Sequence, residues 1–101
     1  MQKHLPGPER AEKILAAAVT FATRKGFHAV TRKSVAREAG VSAGLVSTYF
    51  GGMDKLRTEI MRAAVRDEIL PIIAAGIMSG HRVAKAAPAP LRQRAANSLA
   101  A

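Results

Sequence analysis

Cysteine and tryptophan are both absent from the 101 residues. No disulfide can staple the fold and no thiol can act as nucleophile or metal ligand, which is compatible with a reducing compartment. Acids are scarce as well, seven against sixteen Lys and Arg, giving a formal charge of +9 and a pI near 11.2. Such a balance points to a polyanionic partner, nucleic acid first, beside the plainer reading of a basic surface that keeps the chain in solution. No stretch approaches the ~20 apolar residues a bilayer span needs, and the first residues lack the apolar core of a signal peptide. A soluble cytoplasmic protein without membrane contact is expected. His4, His28 and His81 lie in unrelated segments without ligand spacing, so no metal site and no cofactor is expected. Paired carboxylates in a cleft pattern, a Ser-His-acid set and a phosphate-cradling Gly loop preceded by a strand are all missing, which argues against an enzyme.

What the chain does have is alanine, and helix-forming sequence throughout. Its length suits one domain with a modest core, to which a dimer would add buried area. That core is expected from short aliphatic side chains around Phe21, Phe27, Tyr49 and Phe50. The most structured stretch is Thr31 to Phe50, TRKSVAREAGVSAGLVSTYF. Thr31 can cap one helix, Gly40 can take the backbone angle that ends it, and Ser42 can cap a second. At about 100° per residue, Val35, Ala36 and Ala39 share one side of the first helix while Lys33 and Arg37 point away. On the second helix Val46 and Phe50 set the buried side and leave Gly44, Leu45 and Thr48 outward, flanked by Ser47 and Tyr49. Two short capped helices across a tight turn form a helix-turn-helix, whose second helix enters the major groove while the first crosses the backbone.

The other segments can be placed around this unit. Met1 to Gly7, with Lys3, reads as a flexible arm that either brushes phosphate or is simply disordered. A first helix runs from near Pro8 to Gly26, with Ala11, Ile14, Leu15, Ala18, Phe21 and Ala22 as its apolar stripe. Thr31 has two compatible roles, cap and phosphate partner, since a helix start offers backbone N–H groups. Lys33 and Arg37 are phosphate candidates by face, with a solvated charged face as the alternative. Base edges would be met by Ala43, Gly44, Leu45, Ser47 and Thr48. Ala43 and Leu45 suit thymine methyls, whereas Ser47 and Thr48 can hydrogen-bond several bases. Gly51 to Met53 is read as the turn into a fourth helix, with Lys55 and Arg57 near the DNA backbone. That helix carries two apolar faces, Leu56, Ile60, Ala63 and Ala64 on one and Met61, Val65 and Ile69 on the other, so it needs two partners, of which a second subunit could be one. Pro71 to Met78 reads as a short apolar helix ended by Gly80, followed by a helical turn or loop and a last helix from Leu91 to about Leu99. The fold class is therefore all-α: a helix-turn-helix DNA-binding domain over 1–56, and a short helical dimerisation region over 57–101.

The run AREAGVSAGLVSTYF, preceded by RAEKILAAAVTFATRKGFHAVT, resembles the DNA-binding domain of the tetracycline-repressor (TetR) family over roughly Arg10 to Leu56. The resemblance rests on order and spacing: an ILxAA helix, a Gly-aromatic end, Thr before the second helix, then AGVSxGxV and YF. It implies phosphate contact from Arg10 near the start of the first helix and from the Tyr49 hydroxyl, with Ser42 and Lys55 as further backbone candidates. Arg32 stands where relatives often carry an apolar residue, so its stem is expected on the core with its head outward. Three departures bear on the operator rather than the fold: Ser47 in place of a usual Tyr, Ala43 of a frequent Lys, and Met53 of a common phosphate-touching Lys. Lys55 can substitute for the last.

The resemblance implies a homodimeric repressor on a near-palindromic operator. Family members usually carry a much larger second domain for an inducer, and only about 30 residues follow the fourth helix here, too little wall for a ligand cavity. A regulator without a small-molecule ligand is expected, its occupancy set by concentration or a protein partner, of a size that suits plasmid or phage control. The alternative class is a helical interaction module, such as an antirepressor that binds another regulator.

Overall fold

A computed structural model describes residues 7–99, so the arm expected at Met1 to Gly7 lies, but for Gly7, outside the described residues. Seven α-helices follow one another: α1 (Gly7–Lys25), α2 (Arg32–Ala39), α3 (Ala43–Phe50), α4 (Met53–Asp67), α5 (Leu70–Ser79), α6 (Arg82–Lys85) and α7 (Ala89–Leu99), with a 3-10 turn at Phe27–Ala29. The all-α expectation holds.

The helix boundaries have local causes. Thr31 Oγ1 accepts from the Ser34 N–H (3.0 Å) while Ser34 Oγ accepts from the Thr31 N–H (2.9 Å). This reciprocal capping box satisfies two of the donors a helix start leaves open. Gly40 closes α2 in the left-handed region at φ 72°, where the Val41 N–H reaches back to the Ala36 carbonyl (3.0 Å). Ser42 Oγ then accepts from the Leu45 N–H (3.1 Å) to start α3. Met53 is the first residue of α4 rather than part of the turn, which Gly51 and Gly52 make by themselves.

One core runs through the molecule. Ile14, Ala18 and Ala22 of α1 meet Val35, Ala36 and Ala39 of α2, Val46 and Phe50 of α3, and Leu56 and Ile60 of α4. The same cluster continues through Met61 to Ile72, Ile73, Ala74, Ala84, Leu91 and Ala95. The expected division at 56/57 falls within α4, and burial is continuous across it. Phe21, expected in the core, is only partly buried, and the Arg24 guanidinium lies 5.7 Å from its ring centre.

The second apolar face of α4 is covered by this chain in part: Met61 lies under α5 and α6, while Val65 and Ile69 stay half-buried. Met61 is fully buried, and a β-carbon placed on Gly76 of α5 would fall on the Met61 side chain and 2.7 Å from the Ala84 β-carbon. The missing side chain at Gly76 is thus what lets α5 approach α4 and α6 closely. Ile72, Ile73, Ala74 and Gly76 are turned inward too. The α5 residues left for any partner are the half-buried Leu70, Ala75 and Ile77 and the exposed Pro71, Met78 and Ser79.

Candidate nucleic-acid interface

The turn between α2 and α3 is one residue longer than its two caps: Gly40 ends α2, Val41 is half-buried, and Ser42 begins α3. Short capped ends on both sides hold the two helices in one relative orientation. The angle of α2 to α1 is tied by Arg24, whose Nη2 donates to Glu38 Oε1 at 2.8 Å. That hydrogen bond holds the Glu38 carboxyl below its ordinary pKa range.

On α2 the exposed residues include Arg32, Lys33 and Arg37. Their guanidinium and ammonium groups enter none of the ion pairs found among the described residues, so these heads are available to phosphate. Arg32 lies exposed, as the outward head expected of it requires. Thr31 is exposed and caps the helix, and the capping box narrows its second role. The N–H groups of Thr31 and Ser34 are already bonded to the partner hydroxyls. Those of Arg32 and Lys33 stay open to an anion, as does the Thr31 hydroxyl proton. Ser34 was absent from the candidate residues. The Thr-x-x-Ser spacing was the signal for it, a capping box with Ser in place of the commoner Glu or Gln.

Along α3, Gly44 and Thr48 are exposed, while Ala43, Leu45 and Ser47 are half-buried. Leu45 packs partly against the core, so the outward direction expected for it is only half realised. The reason is its place around the helix: about 100° from the buried Val46, Leu45 sits at the border of the inward face. The Thr48 hydroxyl donates to the Gly44 carbonyl (3.0 Å), which leaves its oxygen lone pairs facing outward as an acceptor. Ser42 also keeps a proton to donate after capping.

Tyr49 is half-buried. A β-carbon at Gly7 would sit 3.9 Å from its Cε1, which places the ring against the first turn of α1. Arg10, also half-buried, begins the second turn of that helix. The start of α1 and the far end of α3 therefore meet, a contact no local pattern announces. Lys55 is exposed in the first turn of α4 and opens onto a separate cleft shared with α6.

This arrangement defines a class: a three-helix helix-turn-helix domain, whose α3 presents small and hydroxyl side chains beside unpaired cations on α2. Residues 14–60 match the family model described as bacterial regulatory proteins, tetR family, and this region is similar to the DNA-binding domains of that family. Its relatives are regulators rather than enzymes. The chain is 39% identical over 57 residues to the HTH-type transcriptional regulator BetI of Vibrio atlanticus, covering 56% of this chain and 28% of the relative. It is 38% identical over 60 residues to BetI 2 of Chromohalobacter salexigens, covering 59% and 29%. It is 40% identical over 60 residues to BetI of Brucella anthropi, covering 59% and 31%. The chain thus spans under a third of the length of these curated relatives. No solved structure gives a significant match. No helix among the described residues is long and apolar enough to cross a membrane.

Proposed function

We propose that this chain is a DNA-binding regulator of transcription that acts in the cytoplasm. The observation that carries the reading is the capped α2–Gly40–α3 unit within a region similar to TetR-family DNA-binding domains. In it α3 lies in the major groove, and Ala43, Gly44, Leu45, Ser47 and Thr48 meet base edges. Because Thr48 already donates its proton to Gly44, it acts as an acceptor, suited to the amino group of adenine or cytosine. Lys33 and Arg37, with Arg32, Thr31 and Ser42, hold the backbone on the α2 side, while Arg10 and Tyr49 hold it where α1 meets α3.

The reading is completed by a homodimer on a near-palindromic operator that represses by blocking RNA polymerase. Met78 and Leu99, at 74% and 55% exposure the large apolar side chains most open to solvent among the described residues, support a subunit contact through the C-terminal helices. In this reading occupancy follows the concentration of the chain or of a partner protein, without a small-molecule inducer.

Fluorescence anisotropy on the chain's own upstream DNA and on a scrambled duplex, each across a salt series, tests it. A preference of about a thousandfold or more is expected, which nonspecific electrostatics cannot produce. Lys33→Ala should weaken both duplexes alike and make the salt slope shallower by roughly 0.9. Negligible binding to either duplex at low salt would overturn the reading.

A further inference from the structure

The basic charge of this chain is not confined to the helix-turn-helix. Between α4 and the start of α6 lies an open cleft of about 700 Å³, into which Lys55, Arg57, Arg62 and Arg82 project together with two carboxylates, Asp54 and Glu59. The carboxylates are unequal partners. Arg62 Nε stands 3.6 Å from Glu59, whereas Arg57 is 3.9 Å from an Asp54 side chain that is fully in water, a loose pair that a phosphate can replace at little cost. Lys55 and Arg82 enter no ion pair among the described residues.

Arg82 is also held in place rather than hanging from a loop. It is the first residue of α6, which begins with His81 Nδ1 accepting from the Val83 N–H (3.2 Å). The His81 ring packs edge-on against Phe27, 5.9 Å between centres. The α6 start is thereby docked onto the turn that leads into α2. At its other end the cleft reaches Lys55, in the first turn after α3. A wet, charged, open cleft with a surplus of cations suits a hydrated polyanion and is a poor fit for an apolar ligand.

Resting on the DNA-binding reading above, we propose that this cleft is a second contact with the DNA backbone, in which Lys55, Arg57 and Arg82 neutralise phosphates flanking the bases that α3 reads. The C-terminal helices thereby take part in DNA binding directly, besides any part in subunit contact. Arg82 is the residue that distinguishes the idea, because it lies outside the helix-turn-helix.

Lys85 provides the control. It is on the same short helix and carries the same charge, but it lines a different groove with Met78 and Arg92. The full chain, Arg82→Ala and Lys85→Ala are titrated onto a short duplex of random sequence across a salt series, after thermal melts show that both variants fold. Arg82→Ala should give a slope shallower by about 0.9, with Lys85→Ala unchanged. Equal changes in both would reduce the effect to net charge and overturn the proposal, and so would no change in Arg82→Ala, which would leave the cleft to a protein partner. If the unaltered chain binds no duplex at low salt, the DNA reading itself fails, a result visible before any variant is compared.

Discussion

The helix-turn-helix and α5 share one core, yet the starts of their helices are set by different means. In α2 and α3 each start carries a side-chain cap, Thr31 with Ser34 and then Ser42, and a left-handed glycine closes α2. Their exposed faces carry unpaired charge and hydroxyls. In α5 the residue before the helix, Ile69, supplies no side-chain cap, although a left-handed Gly80 closes the helix as Gly40 closes α2, and Ile72, Ile73, Ala74 and Gly76 are buried against α4, α6 and α7. A helix capped by side chains holds its start through local hydrogen bonds, whereas the start of α5 keeps its place by fitting a space. The two regions should therefore fail differently, one by losing a bond and the other by losing a fit.

The largest effect is expected from Gly76→Ala. The new methyl would stand 2.7 Å from the Ala84 β-carbon, and a β-carbon can move only with its backbone. Overpacking of this kind costs about 1–3 kcal/mol, read as a melting temperature lower by roughly 4–8 °C for each kcal/mol. An unchanged melt would mean that α5 slides freely and that its fit is not what places it. Thr31→Ala should cost less, about 1 kcal/mol, with Thr31→Ser near wild type because the hydroxyl is kept. If Thr31→Ala proved the more damaging of the two, the contrast between the regions would be inverted.

The smallest effect concerns the seam where the regions meet. Burial, then the neighbouring Arg82 charge, push the His81 imidazole below its ordinary pKa of 6.5. The unfolded chain therefore takes up this proton first as pH falls, and stability declines from about pH 6.5 downward, with no contribution above it. Protonation would also remove the lone pair that caps α6. Chemical denaturation at pH 7.5 and 5.5 should show a fall in stability that His81→Asn flattens, since an amide oxygen can accept from Val83 without titrating. Equal falls in both proteins would place the titration on other groups.

Much of the interface was legible in the residues because its signals are local. Thr31, Gly40 and Ser42 act within four residues of themselves, and Val35, Ala36, Ala39, Val46 and Phe50 follow from helical period alone. Ser34 could have been read from its spacing and was not. Leu45 shows where period stops helping: at the border of the buried face, the packing of neighbouring helices decides how far a side chain stands clear. Met61 and Val65 show the same limit, since an apolar face says that something covers it and not whether that is another subunit or the chain's own next helix.

By itself the sequence determined the helices, the turn between α2 and α3 and the cations of α2, because caps, glycine conformations and apolar period are properties of neighbours along the chain. Only the tertiary structure decided that α5 and α6 close over Met61, that Tyr49 lies against the start of α1, and that Arg82 comes to share a cleft with Lys55. Those outcomes depend on which surfaces fit against one another once the helices exist, and fit between different helices leaves no mark on any local pattern.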